Sequence, residues 1–445
     1  MAFLAVAISV EFLAGLGATT YLAVNDRPLP SLSRATAGPP PPNLGPGDAP
    51  VLSQRERVAR AVAIQALLDK RGAALLKRDR TGFLTSIDPA SPSFLQRQGR
   101  LFDNLREVPL AEWSYTVEPD GELAQSPSRL ARFQAPLWVP RVNVRYRIEG
   151  FDARPTLQRQ VLTFVQRSGQ WYIGADDDFD DAGARTARGL WDFGPVMVTR
   201  TRTTIVLGHP RSLARLRILA RACDQAIPRV RRVWGSDWSG KVVVLVPDTQ
   251  AELSRIIQEG NDLSQIAAVA TAGLAGSGDG PAGERIIVNP PNFDKLGALG
   301  RRVVLQHEIT HVASRSATTG STAMWLAEGF ADYLGYLDAG VSVRTAAREL
   351  ASEVRRGRAP TTLPSRADFE GTNPRLAQVY EMSWLACGLI AARVGQRGLV
   401  RFYRSVGAFD GTADEAVDAT LRAQLKLTTA QFTQRWRAYL TEQLA

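Results

Sequence analysis

The stretch His307-Glu308-Ile309-Thr310-His311 constrains this chain more than any other. The sequence holds only three histidines, and two of them fall here, four residues apart. Residues at that spacing share one face of an α-helix, so the pattern demands a helix and offers two imidazoles to a single ion. Glu308 sits beside them, placed to take a proton from a metal-bound water. Two histidines and a glutamate so arranged are the working core of a zinc hydrolase, with one Zn²⁺ per chain. The flanks agree. Residues 301–306 run into the motif without a helix breaker, and Leu305, Ile309 and Val312 give apolar spacings of four and three that pack one side of the helix into a core. A core helix with two hydrogen-bonded histidines is the alternative; the glutamate between them argues against it.

A zinc hydrolase needs a third protein ligand and an open fourth position. Residues 325–333, Trp-Leu-Ala-Glu-Gly-Phe-Ala-Asp-Tyr, read as a second helix, with Ser321 or Thr322 as its cap. Glu328 and Asp332 share a face of it. One carboxylate can bind metal while the other holds a ligand histidine in its tautomer. Trp325, Leu326, Phe330 and Tyr333 surround both acids, which disfavours a merely solvated acidic face.

The two motifs together resemble the gluzincin group of zinc metallopeptidases, within the small catalytic domains of the peptidase MA clan. The resemblance implies His307, His311 and Glu328 as zinc ligands, Glu308 as general base, and Asp332 as the support of His307. It covers roughly residues 189–445, with firm motifs only between His307 and Asp332. It also implies a residue to hold the oxyanion. No histidine follows His311, and Tyr380, opening a long apolar helix, takes that place. A phenol there is also an ordinary packing residue. Gluzincins pair extended substrate with an edge strand ahead of the active helix. The strand-like run holding Ile286, Ile287 and Val288, closed by Pro290 and Pro291, stands there. The aminopeptidase signature G-A-M-E-N is absent, leaving Glu284 as the one carboxylate able to fix a substrate amine. The Gly-, Ala- and Ser-rich stretch 273–283 reads as a rim loop or a linker.

The remaining chain sets the frame. Its 445 residues suffice for two or three domains. Helical periods at 55–76 and 91–107 precede strand-like runs at 113–117, 142–148, 158–166 and 171–173. Helices followed by an antiparallel meander give an α+β domain over 51–188, weakly similar to the nuclear transport factor 2-like fold. A mainly helical catalytic domain with a small edge-stranded sheet follows over 189–445, so the overall class is α+β. The mostly apolar run 3–24 can span about 30 Å of hydrocarbon at ~1.5 Å per residue. It reads as a transmembrane anchor or signal within 1–26, joined to the body by a Pro/Gly-rich linker at 27–50. Location follows as membrane-anchored with an extracytoplasmic catalytic domain, or exported.

The net charge of +10 comes mostly from scattered arginine, with no aromatic-interleaved patch, so no nucleic-acid partner is expected. Cys223 and Cys387 are either a disulfide or two buried thiols. The acidic run 176–181 is a solvated linker or, less simply, a Ca²⁺ site. His209 reads as a turn histidine. The expected function is a zinc metalloendopeptidase acting on peptide or protein substrates. The alternative is a catalytically degenerate peptidase fold serving as a scaffold or binding protein of the cell envelope.

Overall fold

The computed structural model describes residues 54–118, 122–257, 266–273 and 282–445. The segments 3–24 and 27–50, and most of the 273–283 stretch, lie outside these. No helix among the described residues is long and apolar enough to cross a membrane. The segment read as a transmembrane anchor or signal, within 1–26, lies outside the described residues, and no described helix supplies a transmembrane span in its place. The long helices carry charge and pack inside the body, as in Leu213–Trp234 with Arg217 and Arg221 exposed on its outer face.

The first half is α+β, as its periodicity indicated. Helices Gln54–Leu76 and Pro92–Asn104 lie ahead of strands β1 (Leu110–Glu118), β2 (Leu137–Trp138), β3 (Arg141–Ile148), β4 (Thr156–Val161), β5 (Thr163–Arg167) and β6 (Gln170–Ala175). They form two antiparallel sheets, ordered β1-β3-β4 and β2-β5-β6. Strand β3 shows why. Val142, Val144, Tyr146 and Ile148 are buried while Arg141 and Arg145 are exposed, the period-2 pattern of a half-buried strand. The run 158–166 is two strands rather than one, because Leu162 lies where the chain leaves one sheet for the other.

The second half opens on a mixed sheet of β7 (Met197–Arg200), β8 (Thr204–Gly208), β9 (Val242–Val246), β10 (Ala268–Gly273) and β11 (Ala282–Val288), ordered β10-β11-β9-β8-β7. Strands β8, β9 and β11 run parallel, and helix Leu213–Trp234 makes the crossover from β8 to β9. Every residue of β8 and β9 is buried, because both sheet faces are covered. Val206, Val244, Val246 and Ile286 face a helical core. Their neighbours Ile205, Leu207, Val243 and Ile287 face the first half of the chain and share a core with Trp113, Tyr146 and Trp191. Arg285 seals that seam: it pairs with Asp152 through two bonds of 2.7 and 2.8 Å and donates to Thr156 at 2.9 Å.

Strand β11 corrects an expectation. Ile286, Ile287 and Val288 are not on an edge, since β11 is flanked by β10 and β9. The edge is β10, whose Ala-Val-Ala-Thr-Ala-Gly sequence lacks the apolar alternation that marks a strand.

The helical part stacks the motif helix Ala298–Ser314, the glutamate helix Met324–Gly335 and the long helix Leu376–Gly407, which is broken at Gly395. Gly329 sets the closeness of the last two, because a Cβ there would stand 2.2 Å from the Ser383 carbonyl oxygen. Cys223 and Cys387 are separate buried thiols, not a disulfide.

Candidate active site

The motif helix is buried from Val303 to His311, as its flanks indicated. His307 and His311 project from one face, their Nε2 atoms 3.0 Å apart. The glutamate helix brings Glu328 Oε2 to 3.3 Å from His307 Nε2 and 3.5 Å from His311 Nε2. Neither Ser321 nor Thr322 caps that helix. Ala323 stands at the cap, and the Ser321 hydroxyl lies instead within hydrogen-bond reach of the Phe409 and Gly411 carbonyls, one of which takes its proton. One turn beyond Glu328, Asp332 Oδ1 lies 2.8 Å from His307 Nδ1. A proton on Nδ1 is thus held by the carboxylate, and the Nε2 lone pair is turned toward Glu328 and His311.

These donors fit zinc. Tetrahedral bonds of about 2.0–2.1 Å place ligand atoms about 3.3 Å from one another, and the three separations here, 3.0, 3.3 and 3.5 Å, bracket that value. Neither oxygen of Glu328 has a hydrogen-bond partner, although the side chain is wholly buried. Such a carboxylate is costly unless a cation compensates it. The charges agree: three buried carboxylates, Glu308, Glu328 and Asp332, face two imidazoles. Among the described residues this is the one group of three or more potential ligands.

In the protein without an ion the group divides its protons unevenly. Burial disfavours a charge on His307, but Asp332, Glu328 and Glu308 outweigh it and raise that imidazole to about 10. Burial takes His311 down to about 4. Burial also pushes Glu308 up to about 8, the His307 charge pulling against it. Glu308 is a carboxylate without a hydrogen-bond partner, near the Ala270 N–H of β10.

Tyr380 comes to the same place, its ring 6.4 Å from that of His307 and packed edge-on against Phe369. Ile286, Ile287 and Val288 do not; β10 lies between them and the edge of the sheet. The register tells which β10 groups face outward. Asn289 N donates to the Ala267 carbonyl, so alternate residues 267, 269 and 271 bond to β11 while the backbone of Ala268 and Ala270 points away. Arg315 was not singled out in the sequence. It is nearly buried just past the motif helix and donates to the Ala270 carbonyl at 3.2 Å. An arginine at a helix end reads as surface, which is why it went unmarked. Glu284 lies near enough to Arg315 for their charges to interact.

The other candidates are structural. His209 ends β8 and bonds to the Pro195 carbonyl at 3.0 Å, with Glu252 at 3.3 Å. The acids of 176–181 are laced to arginines: Asp176 and Asp177 to Arg97, Asp178 to Arg132, Asp180 to Arg255 and Asp181 to Arg129. They do not form a cation cage.

No family model and no curated protein matches the chain. Solved structures with partial likeness include a two-domain M1 zinc metallopeptidase mutant bound to L-arginine (TM-score 0.35, 12% identity, 74% of this chain and 62% of that one). Yeast LTA4 hydrolase gives a TM-score of 0.37 at 12% identity, over 74% of this chain and 46% of that one. An M1 zinc metallopeptidase mutant from Deinococcus radiodurans gives 0.32 at 15% identity, over 63% and 60%. The chain thus spans less than two thirds of the length of each, and at these TM-scores the likeness decides nothing about its site.

Proposed function

We propose that the chain is a zinc metalloendopeptidase. The observation that supports this most is the mutual spacing of His307 Nε2, His311 Nε2 and Glu328 Oε2, at 3.0, 3.3 and 3.5 Å. Bound there, Zn²⁺ would supply a Lewis acid that makes water acidic near neutrality and polarises a carbonyl.

The chain's own groups divide the rest of the work. Glu308 accepts the proton of the attacking water and passes it to the departing amide nitrogen. Asp332 holds the His307 tautomer. Tyr380 donates its hydroxyl to the carbonyl oxygen as that oxygen gains charge. An extended peptide adds along β10 beside Ala268 once a movement uncovers that strand, not to β11 as the sequence suggested; the Ala270 carbonyl is already held by Arg315. Strand addition requires no free terminus, so cleavage falls inside chains.

One observation favours a second reading, a zinc-holding scaffold without turnover. His307, Glu308 and Glu328 are 0% exposed, so substrate reaches them only after a movement opens the group. Metal analysis joined to a peptide-library digest separates the two. One zinc per chain with internal cleavage, retained when the substrate is amino-terminally acetylated, supports the endopeptidase. Zinc without cleavage supports the scaffold. A protein that stays metal-free in excess zinc sinks both. Release of single residues, abolished by acetylation, would make Glu284 an amine-binding residue.

A further inference from the structure

The first half of the chain holds a cavity whose lining shares no residue with the group of His307, His311 and Glu328. Helices Gln54–Leu76 and Pro92–Asn104 form one wall, β1, β3 and β4 another, and residues 187–192 close it. Its confined part measures about 40 Å³, within about 510 Å³ of empty space that includes solvent at the mouth. Its lining is not that of an ordinary core. Arg71, Arg188, Asp176 and Asp192 meet Phe94, Leu101, Trp113 and Trp191 there. Burying ion pairs where apolar side chains would serve is neutral or costly for stability. A concave apolar wall with a few converging polar groups is the usual form of a small-molecule site.

The hydrogen bonds say what the occupant must offer. Arg188 bonds to Asp176 at 2.7 Å and to Asp192 at 3.2 Å. Gln98 links Arg71 to Asp176. Two guanidinium groups thus face two carboxylates, and a charged guest would meet a like charge whichever sign it carried. Tyr115 is the exception among these satisfied groups. Its hydroxyl oxygen accepts from Trp113 Nε1 at 2.9 Å and from Arg71 Nε at 3.3 Å, which uses both lone pairs. Its own proton has no acceptor among the described residues. Gln158, half-buried in the lining, adds a carboxamide.

We propose that this cavity binds a small neutral carbonyl compound, whose oxygen accepts the Tyr115 hydroxyl proton and whose apolar body lies against Phe94, Trp113 and Trp191. The occupant is neutral because the wall is charge-balanced. It carries an acceptor because the Tyr115 hydroxyl, held on the wall by Trp113 and Arg71, has a proton to give. It is compact because the confined part admits little more than its head. The site shares no residue with the metal group, so its failure leaves the peptidase reading standing, and the reverse.

The test uses the full chain and two probes, acetophenone and α-methylstyrene, which has a methylene in place of the carbonyl oxygen. Ligand-observed NMR titration should show acetophenone binding about tenfold tighter, the effect of leaving one buried donor unpaired. Tyr115→Phe should bring the ratio to about one. Leu101→Trp, which fills the lining from a half-buried helix position, should abolish binding of both probes. Absence of saturable acetophenone binding overturns the proposal. So does equal affinity of the wild type for the two probes, or a tenfold preference retained by folded Tyr115→Phe. Should Tyr115→Phe not fold, Leu101→Trp decides: retained acetophenone binding would place the site elsewhere.

Discussion

His307, His311, Glu328 and Glu308 sit within one buried cluster, yet their replacements should separate. His307→Ala removes a ligand, and zinc content should fall to background by atomic absorption. Glu308→Gln keeps the three ligand atoms, so zinc should persist at one per chain while turnover falls by about 10²–10⁴-fold, the range for a positioned acid–base group. Asp332→Asn leaves Nδ1 of His307 without its anionic partner, and zinc affinity in chelator competition should weaken by about 10–100-fold. Full activity of Glu308→Gln on a confirmed substrate would refute the mechanism. Away from the site, Asp88 gives a pH dependence of stability. Burial works to raise it, but two bonds from Arg167 at 2.6 and 2.8 Å and the Ala90 N–H hold it below the usual carboxylate range. A depressed folded pKa stabilises above the unfolded value, about 3.9, and that stability is lost as pH falls through the folded value. Asp88→Asn should therefore cost stability at pH 6 by urea unfolding, with the cost shrinking toward pH 3. A gap that does not change with pH would show that the carboxylate charge is irrelevant.

The glutamate helix and the long helix meet across Gly329, and the meeting sets where Glu328 stands. Gly329→Ala drives a methyl group to within 2.2 Å of the Ser383 carbonyl, a backbone atom that cannot turn aside. Overpacking of this kind costs about 1–3 kcal/mol. The urea midpoint should drop accordingly, and zinc affinity should drop with it because Glu328 precedes the strained position. Loss of stability with unchanged zinc affinity would mean that the motif helix alone places the ligands. Strand β10 gives the complementary case. Arg315 and Glu308 both approach Ala270, so the strand that would receive substrate is tied to the helix that would carry the base. No side chain of β10 announces this, because the contacts are made by its backbone.

The two halves of the chain are not independent bodies. One face of the β8–β9–β11 sheet is covered by the helical core and the other by the first half, with Trp113, Tyr146 and Trp191 in the second layer. Deleting residues 54–188 bares Ile205, Leu207, Val243 and Ile287, a contiguous apolar face of the kind that drives aggregation. The shortened protein should be recovered as aggregate on size-exclusion chromatography. A monomeric, zinc-binding 189–445 fragment would show the halves to be separable. Asp152→Asn tests the same seam more gently. It strands the buried Arg285 charge, and removing one partner of such a pair costs about 3–5 kcal/mol.

The clustering of His307, His311 and Glu328 was legible in the residues because it depends on local spacing. Histidines four apart need only a helix, and a glutamate followed four later by an aspartate needs only a second one. The sandwich of two cores was not read from the sequence: Val-Val-Val-Leu-Val at 242–246 is a run fit for burial on both faces, but nothing in it says what buries it. Sheet order was not visible, since an alanine-rich strand carries no alternation and an apolar one looks the same at an edge or in the middle. Ile286, Ile287 and Val288 were therefore placed at an edge that β10 occupies. Arg315 and the Tyr115 hydroxyl stayed hidden for the same reason. What each contributes is set by a partner far away in the chain, Ala270 for one and Arg71 for the other, and long-range pairing is decided by packing rather than by residue type.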